Sequence, residues 1–228
     1  MKIKIFYDGI DFKNENTIIQ GYTTNPSLLK QINHGKTYKE LVLPIINKIN
    51  KLPISLEVVS NQEDRMISEA KELSSWGENI YIKIPIIDTE GNYNTSTIQK
   101  LLNDKININI TCVFTKSQID TIYETITIND YSNVIISIFC GRIADTGISP
   151  SILSSYTTKL FQKNKNINIL WASTREIYNI FEAEQCNCDI ITIPESIYQK
   201  LHLIDKDLIE FSKETVQQFI NDGKSLSL

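Results

Sequence analysis

Histidine is nearly absent from this chain: only His34 and His202 occur in 228 residues. Both fall in helical or loop contexts away from strand ends, where they read as solvated. A Ser-His-Asp triad or a histidine metal centre therefore has nothing to be built from, and no metal is expected. The four cysteines, Cys112, Cys140, Cys186 and Cys188, form neither a paired CxxC set nor the framework of a disulfide-stapled secreted protein, so reduced thiols are expected. No apolar run reaches the ~20 residues of a membrane span. The opening MKIKIFYDGID lacks the apolar centre of a signal peptide. These two absences predict a cytoplasmic protein with no membrane partner. Basic residues number 23 against 27 acidic ones, without a basic stripe, which removes the electrostatic footprint of a nucleic-acid binder. No GxGxxG turn follows the first apolar run, which disfavours an open dinucleotide-binding sheet.

What the chain does have is a repeated alternation. Hydrophobic residues make up 41% and charged residues 22%, the balance of a globular protein with a large core. Eight Ile/Val-rich runs recur: 3–7, 18–22, 54–58, 80–84, 108–113, 134–139, 167–172 and 189–193. Most are separated by stretches of helical period, such as 63–76, where Met66 or Ile67 shares a face with Ala70 and Leu73. Strand alternating with helix predicts a parallel sheet, and eight such units favour closure into a (β/α)8 barrel of one domain over residues 1–228. Thr37 with Glu40, Ser60 with Glu63, Thr115 with Gln118 and Ser173 with Glu176 read as capping boxes. Asn25 before Pro26 and Ser149 before Pro150 read as N-caps followed by a first-turn proline. Residues 205–223 predict an additional C-terminal amphipathic helix with Leu208, Phe211, Val216 and Phe219 on its apolar side, available for oligomer contacts.

Strands covered by helices outside and filled with side chains inside should be apolar on both faces. Several are not. In IYIKI, Ile80, Ile82 and Ile84 share one parity and Tyr81 and Lys83 the other, so Lys83 points inward near the C-terminal end of its strand. Asp8 is in phase with Phe6, Glu57 with Ser55, Asn109 with Thr111, Ser137 with Phe139, and Ser173 with Trp171. All these polar groups fall at the strand ends where barrel enzymes carry their chemistry. Desolvating an ammonium there favours the neutral amine; lowering a lysine from about 10.4 to about 7–8 represents about 4 kcal/mol and supplies a Schiff-base nucleophile. A salt bridge to Glu57 would by itself explain an isolated lysine, but it would not require Asp8, Asn109 and Thr111 as well. Arg142 and Arg175 each follow a strand beside a helix start, an arrangement suited to a phosphate dianion. Among the thiols, Cys112 has outward parity and reads as core, Cys186 and Cys188 read as packing against the eighth strand, and Cys140 adjoins the mouth with no base beside it.

The segments GYTTNPSLL (21–29), ISLEV (54–58), YIKIP (81–85), NITCVF (109–114), ISIFCGRIAD (136–145) and WASTR (171–175) resemble, in order, the motifs of the transaldolase family, and the length is similar to its small-subunit branch. The resemblance implies a cofactor-free enzyme acting on sugar phosphates. By it, Lys83 carries the Schiff base, Asp8 is acid and base for the substrate hydroxyl, and Glu57 with Thr111 positions water. Asn25, Asn109 and Ser137 would hold the dihydroxyacetone fragment, and Arg142, Ser173 and Arg175 the phosphate. It also implies a homo-oligomer, since related small enzymes form rings or decamers. Tyr22, Cys140 and Thr174 depart from the family pattern without removing a catalytic group. Two other readings compete: a fructose-6-phosphate-aldolase-like lyase, from which Glu57 and Phe139 distinguish the chain because that branch typically has Gln and Tyr there, and a noncatalytic sugar-phosphate-binding barrel.

Overall fold

A computed structural model describes residues 2–11, 18–49, 51–126 and 132–226. The eight β-branched runs become strands β1 (Lys4–Asp8), β2 (Ile19–Thr23), β3 (Ile54–Glu57), β4 (Ile80–Pro85), β5 (Ile108–Val113), β6 (Val134–Ile138), β7 (Ile167–Trp171) and β8 (Ile190–Pro194). They pair in parallel, each with its sequence neighbour, and β8 closes on β1. The helices are α1 (Pro26–Ile32), α2 (Tyr38–Lys48), α3 (Glu63–Ser74), α4 (Thr95–Asn103), α5 (Lys116–Ile126), α6 (Cys140–Ala144), α7 (Pro150–Phe161), α8 (Tyr178–Gln185), α9 (Glu195–Tyr198) and α10 (Leu208–Gly223). This is a (β/α)8 barrel with an additional C-terminal helix, as the alternation predicts.

Two apolar clusters explain why the strands carry Ile on one parity and mixed residues on the other. The larger lies between sheet and helices and takes Ile82, Ile84, Ile108, Ile110 and Trp171 with the helical Met66, Ala70, Leu101 and Ile122. The smaller fills the barrel interior with Phe6, Ile135, Leu170, Ala172 and Ile190, against which Tyr81 and Phe139 pack. Gly21 belongs to this interior: a Cβ there would lie 2.5 Å from the Phe6 ring, so the missing side chain is what admits the ring. Trp171 therefore faces the helices and Ala172 the interior, opposite to the parity expected for β7.

Helix starts follow the expected caps in part. Thr37 and Glu40 close a capping box on α2, and Asn25 accepts from the Leu28 N–H at 3.0 Å at the start of α1. Thr115 Oγ1 accepts from the Gln118 N–H at 3.2 Å while Gln118 Oε1 accepts from the Thr115 N–H at 3.0 Å. Ser149 precedes Pro150 at the start of α7 but makes no side-chain cap bond. The other two boxes do not form. Gln62 occupies the N-cap of α3, and the Glu63 carboxylate is drawn to Ser96 and Lys100 of α4. After β7, Asn179 Oδ1 accepts from the Arg175 and Glu176 N–H groups, and α8 begins only at Tyr178.

Among the described residues, no helix is long and apolar enough to cross a membrane and no cluster of His, Cys, Asp and Glu could hold a metal. The helix α10 buries none of its side chains: Leu208, Phe219 and Ile220 are 78%, 67% and 55% exposed.

Candidate active site

Strand register assembles the site. Glu57 stands opposite Lys83, Lys83 opposite Asn109, and Asp8 opposite Thr23 across successive ladders. Inward-facing residues on neighbouring strands thus meet at one level, at the C-terminal mouth. Lys83 is buried, with Nζ 3.0 Å from Glu57 Oε2 and donating to the Thr24 carbonyl at 2.8 Å. The inward amine expected from strand parity is thus a member of a hydrogen-bonded ion pair with Glu57, beside the other polar groups of the mouth.

Asp8 accepts from Thr23 Oγ1 at 2.7 Å, and that hydroxyl lies 2.6 Å from Thr192 Oγ1. Burial pushes the Asp8 carboxyl above the usual Asp range, with the Lys83 charge and the Thr23 hydrogen bond pulling the other way and Glu57 adding a little to the rise. The fully buried Asn109 donates to Ser55 Oγ at 3.0 Å and accepts from Ser137 Oγ at 2.7 Å, which sets its amide orientation. Thr111 Oγ1 is buried with no hydrogen-bond partner among the described residues, a cost that a well-packed interior normally avoids.

A cavity of about 460 Å³ opens above these groups. Of the expected site residues it is lined by Asp8, Asn25, Glu57, Lys83, Thr111, Ser137, Phe139, Arg142, Ser173 and Arg175; Asn109 lies beneath the floor. Two irregularities of the backbone shape it. Cys112 has φ +58° where the β5–β6 register shifts, and Ser173 has φ +64° after β7. Each breaks strand alternation, and each brings its side chain to the cavity lining. Cys112 is therefore not a core residue as its parity predicts, although burial holds its thiol above the ordinary range, with Glu57 adding to the effect. Cys140 is not at the mouth: it is fully buried, 3.4 Å from Ser154 Oγ, and burial pushes its thiol up to about 12. Cys186 and Cys188 are buried in the outer core, and His34 and His202 are exposed.

The rim carries the two arginines. The Arg142 guanidinium lies 5.1 Å from the Phe139 ring centroid, and the Phe139 ring is 5.4 Å from that of Phe114. Arg175 pairs with Asp145 at 2.6 Å. Gly141 allows α6, which carries Arg142, to lie against the turn that carries Arg175, because a Cβ there would lie 1.7 Å from the Ser173 carbonyl oxygen.

This ordered set of inward polar residues runs through one barrel, and its match in known proteins is equally continuous. The family model described as transaldolase/fructose-6-phosphate aldolase matches residues 5–227. The chain belongs to the transaldolase/fructose-6-phosphate aldolase family. Among relatives of this family, a probable transaldolase from Thermoplasma volcanium is 31% identical over 222 residues, 96% of this chain and 91% of the other. A probable transaldolase 2 from Listeria monocytogenes is 30% identical over 205 residues, 88% of each chain. A solved type I 3-dehydroquinate dehydratase from Clostridium difficile, carrying covalently modified comenic acid, has a TM-score of 0.53 at 12% identity and covers 85% of this chain and 84% of its own. That likeness extends to the barrel fold alone.

Residue-by-residue reading of the sequence missed Thr23, Thr24, Thr192 and Gly141. Thr192 carried a legible signal, a polar side chain in phase with Ile190 at a strand end, and Thr23 carried the same signal on β2. Thr24 acts through its carbonyl, which no side-chain pattern reports.

Proposed function

We propose that this transaldolase-family enzyme transfers a dihydroxyacetone unit from a ketose phosphate, such as fructose 6-phosphate or sedoheptulose 7-phosphate, to an aldose phosphate through a Schiff base on Lys83. The observation that carries the reading is a buried lysine amine held 3.0 Å from one carboxylate and in the field of a second, under a cavity rimmed by two arginines.

Lys83 Nζ attacks the ketose carbonyl after releasing a proton, and Glu57 is the nearest carboxylate acceptor. Loss of water from the carbinolamine leaves the iminium, and the Thr111 hydroxyl, which has no hydrogen-bond partner among the described residues, positions that water together with Glu57. Asp8 then takes the proton of the hydroxyl β to the iminium. The carbon–carbon bond breaks, its electron pair moves into the enamine, and the aldose phosphate departs. Addition of the enamine to a second aldehyde, with Asp8 returning the proton, and hydrolysis of the new imine complete the cycle. The protonated imine is the electron sink, so the cycle calls for no cofactor. Asn25, Asn109 and Ser137 serve the dihydroxyacetone hydroxyls, Asn109 from beneath the floor through Ser137. Arg142, Ser173 and Arg175 serve the phosphate, with Phe139 as the apolar wall under Arg142. The apolar face of α10 packs in a homo-oligomer.

The test combines trapping with product analysis. Borohydride added with fructose 6-phosphate should leave a dihydroxyacetone-sized adduct on Lys83, and none on the Lys83→Met variant. With erythrose 4-phosphate present, transfer should outrun release of free dihydroxyacetone. Equal labelling of Lys83→Met would sink the Schiff-base assignment, and release as fast as transfer would make the enzyme a lyase.

A further inference from the structure

The sugar-phosphate reading places a dianion at Arg142 and Arg175, and the inference drawn here rests on that reading. We propose that Asp145 is a positioning residue that sets the phosphate affinity of this enzyme by holding the Arg175 guanidinium in its binding orientation.

The backbone on either side of Arg175 is fixed without help from its side chain. The Arg175 N–H donates to Asn179 Oδ1 at 2.9 Å, and the preceding Thr174 hydroxyl donates to the Thr192 carbonyl at 2.6 Å. The arm beyond that anchor is half exposed, with a side-chain accessibility of 52%. A long guanidinium side chain in solvent samples many rotamers, and binding one anion with it requires selecting among them. Asp145 makes that selection in advance. Its Oδ2 accepts from Arg175 Nη2 at 2.6 Å and its Oδ1 from Nε at 3.4 Å. A guanidinium has five N–H bonds, so this side-on pairing takes two and leaves three for a phosphate.

Asp145 also senses the second arginine. The hydrogen bond from Arg175 holds its carboxyl below the ordinary Asp range, and the charges of Arg175 and Arg142 act in the same direction. The carboxylate is therefore ionised at neutral pH. It begins at the end of α6, whose Gly141 lies against the Ser173 carbonyl, so the short helix that carries Arg142 also delivers the acceptor for Arg175. A carboxylate beside an anion site also repels the anion. Here that repulsion passes through a solvent-exposed pair, where water and salt screen it. Orientation of Arg175 therefore prevails, and loss of Asp145 weakens phosphate binding.

The experiment measures binding of inorganic phosphate to the whole protein by calorimetry, with no catalysis involved, alongside KM and kcat for fructose 6-phosphate. Asp145→Ala should weaken phosphate binding and raise KM by about two- to fivefold, the size of the orientation an exposed ion pair supplies, with kcat moving far less. Asp145→Glu should recover most of the affinity, which a merely structural role would not predict. Unchanged or tighter phosphate binding by Asp145→Ala overturns the proposal, the tighter result identifying Asp145 as a competing anion. Arg142→Ala is the reference: if it too leaves phosphate binding unchanged, the phosphate subsite itself is wrong, whereas weakening by Arg142→Ala alone rejects only the role of Asp145.

Discussion

Thr111 and Asp8 are the two residues at this mouth whose burial works against stability. The Thr111 hydroxyl is buried at the edge of the cavity with no hydrogen-bond partner among the described residues. Replacing it by the isosteric valine removes a group whose unmet hydrogen bond costs about 1–3 kcal/mol. Thr111→Val should therefore melt no lower than the parent while imine formation slows; a clear fall in melting temperature would show that the hydroxyl is satisfied in the folded protein. Asp8 is destabilising for another reason. Its carboxyl is raised chiefly by burial, so in the pH range between the ordinary and the raised value the folded chain holds a proton that the unfolded chain has released. That contribution is complete below the ordinary Asp value of about 3.9 and is lost as pH rises through the raised folded value. Asp8→Asn, which resembles the protonated form, should melt about 2–4 °C above the parent near neutral pH, the shift made by ~1 kcal/mol in a domain of this size. The gap should close only as pH falls below the ordinary Asp value of about 3.9, where both states of the parent become protonated. A gap independent of pH would assign the effect to packing. Sequence parity located both residues; their unmet hydrogen bond and raised carboxyl depend on neighbours from other strands and were not legible.

The elements reveal where local rules failed. Two capping boxes form, Thr37 with Glu40 and Thr115 with Gln118, the second even though Gln118 Oε1 also accepts from the Phe114 N–H at 2.7 Å. Ser60 with Glu63 failed because α4 offers Glu63 both a hydroxyl and an ammonium. Ser173 with Glu176 failed because Asn179, from inside α8, takes the Glu176 N–H that Ser173 would have accepted from. The short helix α6 depends most on a single residue. In Gly141→Ala the new methyl would meet the Ser173 carbonyl oxygen at 1.7 Å, a backbone atom that cannot swing aside. That variant should lose about 1–3 kcal/mol of stability in denaturant unfolding, the range for an overpacked interior, and phosphate binding with it. Gly223→Ala, where a Cβ meets nothing, is the matched control and should be neutral or slightly stabilising. Equal behaviour of the two variants would show that α6 can move away freely.

At the scale of the molecule, α10 is the feature that a single chain leaves incomplete. Its capping is sound, with Asp207 accepting from the Ile209 and Glu210 N–H groups at 2.9 Å each. Its apolar residues are nevertheless exposed, Leu208 and Phe219 by 78% and 67%. Such a stripe on a helix of 16 residues is stable in water mainly when another surface covers it. Light scattering should give a particle mass that is a multiple of 26.1 kDa. Phe219→Lys with Ile220→Glu should drive it towards one chain while the barrel stays folded by circular dichroism. A wild-type mass of one chain would reject the oligomer.

Sequence alone determined the order of eight strands, the closure of the barrel, and most of the inward polar residues, because strand parity and the helix period are local properties that each segment carries by itself. The two places where parity misled, Cys112 and Trp171 with Ser173, are the places where a backbone departure near φ +60° interrupts the alternation. No side-chain pattern announces such a departure, since it answers to the pairing of β5 with β6 and to the packing of α6 against the turn after β7. Tertiary structure alone decided that Glu57 stands beside Lys83, that Asp145 holds Arg175, and that Asn109 lies beneath the floor. Those pairings are set by register between strands and by helix docking, distances that a linear chain does not contain.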